Sequence, residues 1–162
     1  MKLALIAATL AFAAVLQPLP SAAEQKTDAI LTVVDESAGG TRTEMSLADL
    51  QKLESATVRT STPWHDGEQV FEGVPLEKLL KHLGSRGTRL TLTALNNYMT
   101  EIPAADAAQY PVLLAYKRNG QTMPVTDKGP LFVIYPYDSD KALKTETYFS
   151  RSAWQVRSIT IE

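Results

Sequence analysis

The sequence predicts an α+β fold in which short helices accompany a mixed, mainly antiparallel sheet. Segments with the composition and alternation of β-strands outnumber segments with helical periodicity, and the helical segments are short. Asn119 and Gly120 separate two apolar runs, a pattern typical of a two-residue turn between antiparallel strands. Together these observations indicate the α+β class.

The first elements are predicted from strand composition and from one helix cap. Residues 30–35, ILTVVD, are rich in β-branched side chains and predict a strand. Ser46 stands three residues before Asp49, which resembles a capping box and predicts the start of a short helix. Residues 56–62, ATVRTST, then predict a second strand. The inward-facing residues of the short helix are predicted to be Leu47, Leu50 and Leu53.

The segment GVPLEKLLKHLG, residues 73–84, is the clearest predicted helix. Pro75 suits its first turn, and Gly84 suits the position just after its end. His82 lies near the end of the helix and is predicted to face solvent without a functional role. The apolar stripe of the helix is formed by Leu76, Leu79, Leu80 and Leu83.

The second half of the chain supplies the remaining strands. Residues 89–95, RLTLTAL, alternate apolar and polar side chains, which is the period of a half-buried strand. Pro103 is predicted to open a short helix or turn. Further extended segments are predicted at 98–103, on both sides of Asn119-Gly120, at 131–136 and at 154–162.

The first 23 residues resemble a secretory signal peptide. Lys2 precedes an apolar run from Leu3 to Leu16, and small residues up to Ala23 suit cleavage after that position. The run is shorter than the roughly 20 apolar residues that span a bilayer. We therefore predict one exported domain over residues 24–162, located in the periplasm and not inserted in the membrane after cleavage.

The composition excludes several classes of site. The net charge is −2 and no segment concentrates Lys or Arg, which argues against nucleic acid or lipid as a partner. The chain has no cysteine, so it has no disulfide, thiolate metal site or thiol nucleophile. Because His65 and His82 are the only histidines, no metal site is expected.

Residues 57–68, TVRTSTPWHDGE, contain a serine, a histidine and an acid in close succession. Ser61, His65 and Asp66 raise the hypothesis of a hydrolytic triad. However, Pro63 bends the chain between the serine and the histidine, and no glycine-flanked turn presents the serine as a nucleophile. The sequence therefore disfavours hydrolysis, and no catalytic residue is assigned.

Five ordered segments carry a resemblance to a known family: FEGVPLEKLL, ALNNYMTEIPAADA, VLLAYKRNGQTMP, KGPLFVIYP and SAWQV. The chain resembles the molybdopterin-binding domain of the sulfite oxidase and bacterial methionine-sulfoxide reductase family, and it is similar to the small stand-alone exported members. The similarity covers residues 57–162. It implies a mixed α+β fold with a curved sheet and a cofactor held in a central cleft.

The chain departs from the family's enzymes at positions that the resemblance links to the cofactor. It places the molybdenum-binding cysteine of those enzymes at Thr60, Ser61 or Thr62, where a hydroxyl is far less acidic and a harder ligand than a thiolate. The arginine and lysine common in those enzymes are replaced by Phe132 and Ala153. The leader also lacks the arginine pair used to export proteins already folded around this cofactor.

The resemblance still implies a cleft lined by residues of the matched segments. Aromatic rings, amides and cations there suit a small planar or anionic ligand, with Arg151 the best single anion contact. Each also has a plainer interpretation, because tryptophans can be core residues, asparagines can form turns, and cations can be surface charges. The candidate ligand-binding residues are Thr60, Ser61, Thr62, Trp64, His65, Asn96, Asn97, Tyr98, Lys128, Arg151 and Trp154.

Two functions follow from these expectations. The first is a non-catalytic exported domain, sensory or accessory, that carries no cofactor and binds a small ligand or an exported or membrane partner protein through the former cofactor cleft. The alternative is a molybdopterin-dependent oxidoreductase that binds the cofactor without a cysteine thiolate. A purely structural role is the third hypothesis.

Overall fold

The computed structural model describes residues 28–162, and the predicted signal peptide at residues 1–23 lies outside the described residues. The described chain forms two five-stranded sheets, and four short α-helices connect their strands. In chain order the elements are β1 Ala29–Asp35, β2 Thr41–Ser46, α1 Leu47–Gln51, β3 Ala56–Thr62, β4 His65–Pro75, α2 Leu76–Leu83, β5 Arg89–Ala94, β6 Met99–Pro103, α3 Ala104–Gln109, β7 Leu113–Arg118, β8 Gln121–Thr122, β9 Phe132–Ile134, α4 Glu146–Arg151 and β10 Val156–Ile161.

The first sheet has the order β2-β1-β10-β5-β6 and is mixed. β1 pairs with β10 in parallel, with Thr32 opposite Ser158, whereas the other neighbouring strands are antiparallel. The last strand of the chain therefore lies in the middle of the sheet, next to the first strand. This arrangement confirms the predicted α+β class with a mixed, mainly antiparallel sheet.

The second sheet has the order β3-β4-β7-β8, with β9 also paired to β7, and all its pairs are antiparallel. Between β7 and β8, Asn119 and Gly120 have φ angles of 51° and 80°. Two consecutive positive φ angles are the requirement of a type I′ hairpin turn. The hairpin predicted from the Asn-Gly pair is therefore confirmed.

Strand β4, which has 11 residues, is missing from the sequence-based prediction. Its first half, HDGEQ, is polar and contains Gly67, a composition that disfavours strands. Pairing with β3 on one side and β7 on the other overrides this local preference. Gly73 is required within the strand, because a Cβ atom there would overlap the backbone of Leu114 and Ala115 on β7.

Helices α1 and α2 begin and end largely as the sequence predicts. The Ser46 hydroxyl accepts from the Asp49 N–H, and the Asp49 carboxylate accepts from the Ser46 N–H at 3.0 Å, which completes the capping box. Helix α2 ends at Gly84 in the left-handed conformation, but Pro75 precedes its first turn instead of lying in it. His82 is exposed, as predicted. Within residues 28–162, no helix has the length and hydropathy needed to cross a membrane.

The buried side chains form two hydrophobic clusters. The larger one includes Leu90 and Leu92 of β5, and the smaller one includes Phe71 of β4 and Phe132 of β9. These four side chains are fully buried, and burial of each contributes about 1.5–3 kcal/mol to folding. Trp64 packs against both clusters. The turn between β3 and β4 therefore joins the two halves of the core.

Candidate functional site

Trp64 is the centre of an aromatic cluster at the β3–β4 turn. Its ring centroid lies 5.4 Å from that of Phe132, 5.7 Å from Trp154, 6.0 Å from Phe149 and 6.3 Å from Tyr137. Most of these contacts are edge-to-face, a geometry worth about 0.5–1.5 kcal/mol per pair beyond simple burial. The cluster therefore holds the Trp64 indole in one orientation.

A pocket of about 370 Å³ lies beside this cluster, and we call it the aromatic pocket. Its walls come from the β3–β4 turn, from the end of β5 with the β5–β6 turn, and from helix α4 with the residues that follow it. Glu146 is the one charged residue in the lining. The lining residues are Pro63, Trp64, Ala94, Asn96, Tyr98, Glu146, Phe149, Ser150, Ser152 and Trp154.

The β5–β6 turn positions two of the predicted residues in the aromatic pocket and one outside its lining. The Asn96 side-chain oxygen accepts from the Tyr98 N–H at 3.0 Å, and the Tyr98 hydroxyl donates to the Ser150 carbonyl at 2.9 Å. Asn97 adopts a left-handed conformation, with φ of 65°, and accepts from Arg157 at 2.8 Å. Asn97 therefore shapes the turn, whereas Asn96 and Tyr98 line the aromatic pocket.

The hydroxyls at the end of β3 bind the segment that follows β9. The buried Thr60 hydroxyl accepts from the Asp138 N–H at 3.1 Å. Ser61 donates to the Asp138 carboxylate through its N–H at 2.5 Å and its hydroxyl at 2.8 Å, and the Lys144 ammonium lies 2.6 Å from the same carboxylate. The hydrogen bond from the Lys144 ammonium, followed by those from the Ser61 N–H and hydroxyl, lowers the pKa of Asp138 to about 2. The hydroxyls of Thr60 and Ser61 therefore connect the end of β3 to the segment that contains Asp138.

His65 lies next to the same turn, and its ring contacts Phe71 and Phe132. The Thr62 hydroxyl lies 2.9 Å from His65 Nδ1, while His65 Nε2 is buried without a hydrogen-bond partner among the described residues. Burial of the ring, followed by the positive charges of Arg118 and Lys128, lowers the pKa of His65. The imidazole is therefore favoured in its neutral form.

The triad suggested by TVRTSTPWHDGE has no catalytic geometry in the fold. The Ser61 hydroxyl donates to Asp138, and His65 Nδ1 is bonded to Thr62, so the serine and the histidine each have a different partner. Asp66 is exposed, and its carboxylate forms no hydrogen bond to the imidazole within residues 28–162. A nucleophile without its base cannot be activated in this way.

The two predicted cations occupy different surroundings. The Lys128 ammonium lies 5.0 Å from the ring centroid of Trp154, one of the lining residues of the aromatic pocket. Arg151 donates to the Asp106 carboxylate at 2.8 Å, and the same oxygen accepts from the buried Tyr135 hydroxyl at 2.7 Å. The charge of Arg151 is therefore compensated inside the protein, and Arg151 does not line the aromatic pocket.

Sequence reasoning missed several residues that shape this region. Glu146 and Phe149 face the aromatic pocket from α4, and Asp138 and Lys144 hold the end of β3. The segment ETYFSR offers one usable signal, because its acid and its aromatic residue at 146 and 149 are three apart and share one face of a helix. The partnership of Asp138 with Ser61 spans 77 residues and has no local signal.

The comparisons with known proteins agree on the fold. A family model described as oxidoreductase molybdopterin binding domain matches residues 23–139. No curated protein matches the sequence significantly. A solved structure, the sulfane dehydrogenase SoxCD from Paracoccus pantotrophus, is similar with 18% sequence identity and a TM-score of 0.59. The match covers 86% of this chain but 39% of the SoxCD chain, so this chain spans about two fifths of that protein's length.

Proposed function

The chain belongs to the oxidoreductase molybdopterin-binding domain family, as its ordered segments predict. From this membership we propose that the protein is a non-catalytic, exported member of the family that binds a small planar ligand. The aromatic pocket is the observation that carries the proposal. Its volume of about 370 Å³ lies within the range of about 300–1,000 Å³ that is usual for small-molecule sites. Tryptophan and phenylalanine faces favour a flat ligand.

The residues around β3 do not fit a molybdenum centre held by the protein. The hydroxyls of Thr60, Ser61 and Thr62 are all engaged with other protein groups, and an alcohol is a poor substitute for a thiolate ligand. In the part of the chain from residue 28 onward, no cluster of three or more His, Cys, Asp or Glu is placed to hold a metal ion. These features support a binding role.

The lining of the aromatic pocket also does not fit the phosphate of a pterin cofactor. Phosphate groups are held by Arg, Lys or clustered N–H donors. The lining contains neither Arg nor Lys, and its charged residue is Glu146. A phosphate would therefore meet a like charge and no cationic side chain within the lining. The alternative function is an oxidoreductase that binds the cofactor without a thiolate, and it is supported only by the family membership.

The polar groups at the rim of the aromatic pocket suit hydrogen bonds to the edge of a flat ring system. Ser150 and Asn96 lie in the lining together with the four aromatic side chains. A few polar groups on an apolar wall fix the orientation of a ligand without strong charge. We extend the proposal to an accessory or sensory role in the periplasm, in line with the signal peptide predicted at residues 1–23.

The test measures which metal, cofactor or small molecule is bound to the protein when its own cells produce it. We expect protein purified from the native exported compartment to contain no stoichiometric molybdenum or pterin, measured by elemental analysis and by pterin fluorescence after oxidation. Native mass spectrometry of the same sample should show a bound small molecule, or a complex with a planar compound that is added to the protein. Stoichiometric molybdenum together with pterin would overturn the proposal and establish the alternative.

A further inference from the structure

The lining of the aromatic pocket contains one charged side chain, and its charge is negative. Glu146 lies in the first turn of α4, is exposed, and forms no ion pair with another of residues 28–162. The other lining residues are uncharged. An unpaired carboxylate at the rim of an apolar pocket attracts positive charge and repels negative charge.

The walls of the aromatic pocket add a second attraction for positive charge. Trp64, Trp154, Phe149 and Tyr98 all contribute to the lining. The faces of aromatic rings bind organic cations, and tryptophan does so most strongly. The Lys128 ammonium already lies 5.0 Å from the ring centroid of Trp154, so this indole accepts a cation in the folded protein. Several such rings around one cavity form the kind of site that recognises alkylated ammonium groups.

The neighbouring arginines do not offset this preference. Arg151 is paired with Asp106 at 2.8 Å, and Arg157 donates to Asn97 at 2.8 Å. Neither arginine is in the lining of the aromatic pocket. The anion contact expected of Arg151 from the sequence thus has a compensated charge in the fold, and it provides no counter-charge for an anionic ligand.

We propose that the aromatic pocket selects a planar organic cation of one or two rings, held between the aromatic walls and the Glu146 carboxylate. The proposal rests on the proposed function, because it names the chemical class of the ligand for the same pocket. It narrows the sequence-based expectation of a planar or anionic ligand to a planar and positively charged one. A volume of about 370 Å³ limits the ligand to this size.

The test compares three probes of nearly equal shape and different charge: 1-methylnicotinamide, which is a cation, nicotinamide, which is neutral, and nicotinate, which is an anion. Binding to the full exported protein is measured by calorimetry and by quenching of tryptophan fluorescence. We expect the cation to bind at least about fivefold more tightly than the neutral probe, the effect of one cation–π contact, and the anion to bind most weakly.

Variants identify the groups responsible. Glu146→Gln should remove most of the preference for 1-methylnicotinamide over nicotinamide. Glu77→Gln is the matched control, because Glu77 is also an exposed first-turn glutamate, on α2, and is not in the lining. Lys128→Gln should increase the affinity for the cation by removing a nearby like charge. Tyr98→Leu, at an exposed position, should weaken all three probes.

The outcomes separate this inference from the proposed function. Equal binding of the cation and nicotinamide, or a Glu146→Gln variant with the full cation preference, would refute the choice of a cation while the pocket remains a site for planar ligands. Tighter binding of nicotinate would refute it in the same way. If none of the three probes binds at millimolar concentration, both the inference and the proposed function are wrong.

Discussion

Replacing Asp138 by asparagine should destabilise the protein at neutral pH and leave its stability at pH near 2 almost unchanged. The Asp138 carboxylate accepts two hydrogen bonds from Ser61 and lies 2.6 Å from the Lys144 ammonium. These interactions favour the charged carboxylate and lower its pKa from 3.8 to about 2. An amide at this position would lose the attraction to Lys144, and it would offer one acceptor oxygen where the carboxylate offers two.

The size of the effect follows from the pKa shift. A change from 3.8 to about 2 corresponds to roughly 2.4 kcal/mol if it is converted fully into stability. The Asp138 side chain is 36% exposed, so solvent screens its charge and the expected loss is about 1 kcal/mol. Because the folded-state pKa is depressed, this stability is present above pH 3.8 and is lost as the pH falls through about 2.

The assay is urea-induced unfolding of the wild type and of Asp138→Asn at neutral pH and at several pH values down to about 2. The difference in the free energy of unfolding should be about 1 kcal/mol at neutral pH and should shrink steadily below pH 4. Asp66→Asn, a change of the same chemistry at an exposed site on the β3–β4 hairpin, is the control and should have little effect. A difference that stays constant down to pH 2 would show that charge is not the cause.

Three further perturbations test other parts of the fold. Asp106→Ala should lower the free energy of unfolding by about 3 kcal/mol, because it leaves the buried Tyr135 hydroxyl and the Arg151 guanidinium without their shared acceptor. Chemical unfolding measures this difference, and a decrease below about 1 kcal/mol would contradict the prediction. Gly73→Ala should reduce soluble yield and lower the melting temperature by about 10 °C or more, because a Cβ atom would overlap the backbone of β7; a melting temperature equal to the wild type would exclude the overlap. His65→Gln should flatten the pH profile of stability. The unfolded chain binds the proton more tightly than the folded one, so the wild type loses stability as the pH falls below 6.5, and NMR titration of His65 should give a pKa below that value.

Much of the fold is predictable from the sequence because its elements carry strong local signals. The alternation of Leu90 and Leu92 indicates a half-buried strand, and the Asn119-Gly120 pair indicates the hairpin that the structure contains. The Ser46 cap works in the same way, since its partners are three residues apart. The exception is β4, whose polar first half has no strand signal and depends on pairing with two neighbours.

The site is less predictable than the fold. Family resemblance directs attention to the β3–β4 turn and the β5–β6 turn, and the structure brings Trp64, Asn96, Tyr98 and Trp154 together around one pocket. The family resemblance does not predict the charge of that pocket. The lining excludes Arg151 and includes Glu146, because side-chain direction on the short helix α4 is set by packing against the rest of the fold.

The sequence by itself determined the family, the α+β class and the lack of any thiolate ligand, because these depend on residue identity and order. The tertiary structure decided what the residues of TVRTSTPWHDGE do. In the fold, Ser61 forms hydrogen bonds with Asp138, and His65 forms one with Thr62. Trp64 lies at the junction of the two hydrophobic clusters. Partners separated by 77 residues meet through sheet pairing and packing, and neither of these is encoded in a local pattern.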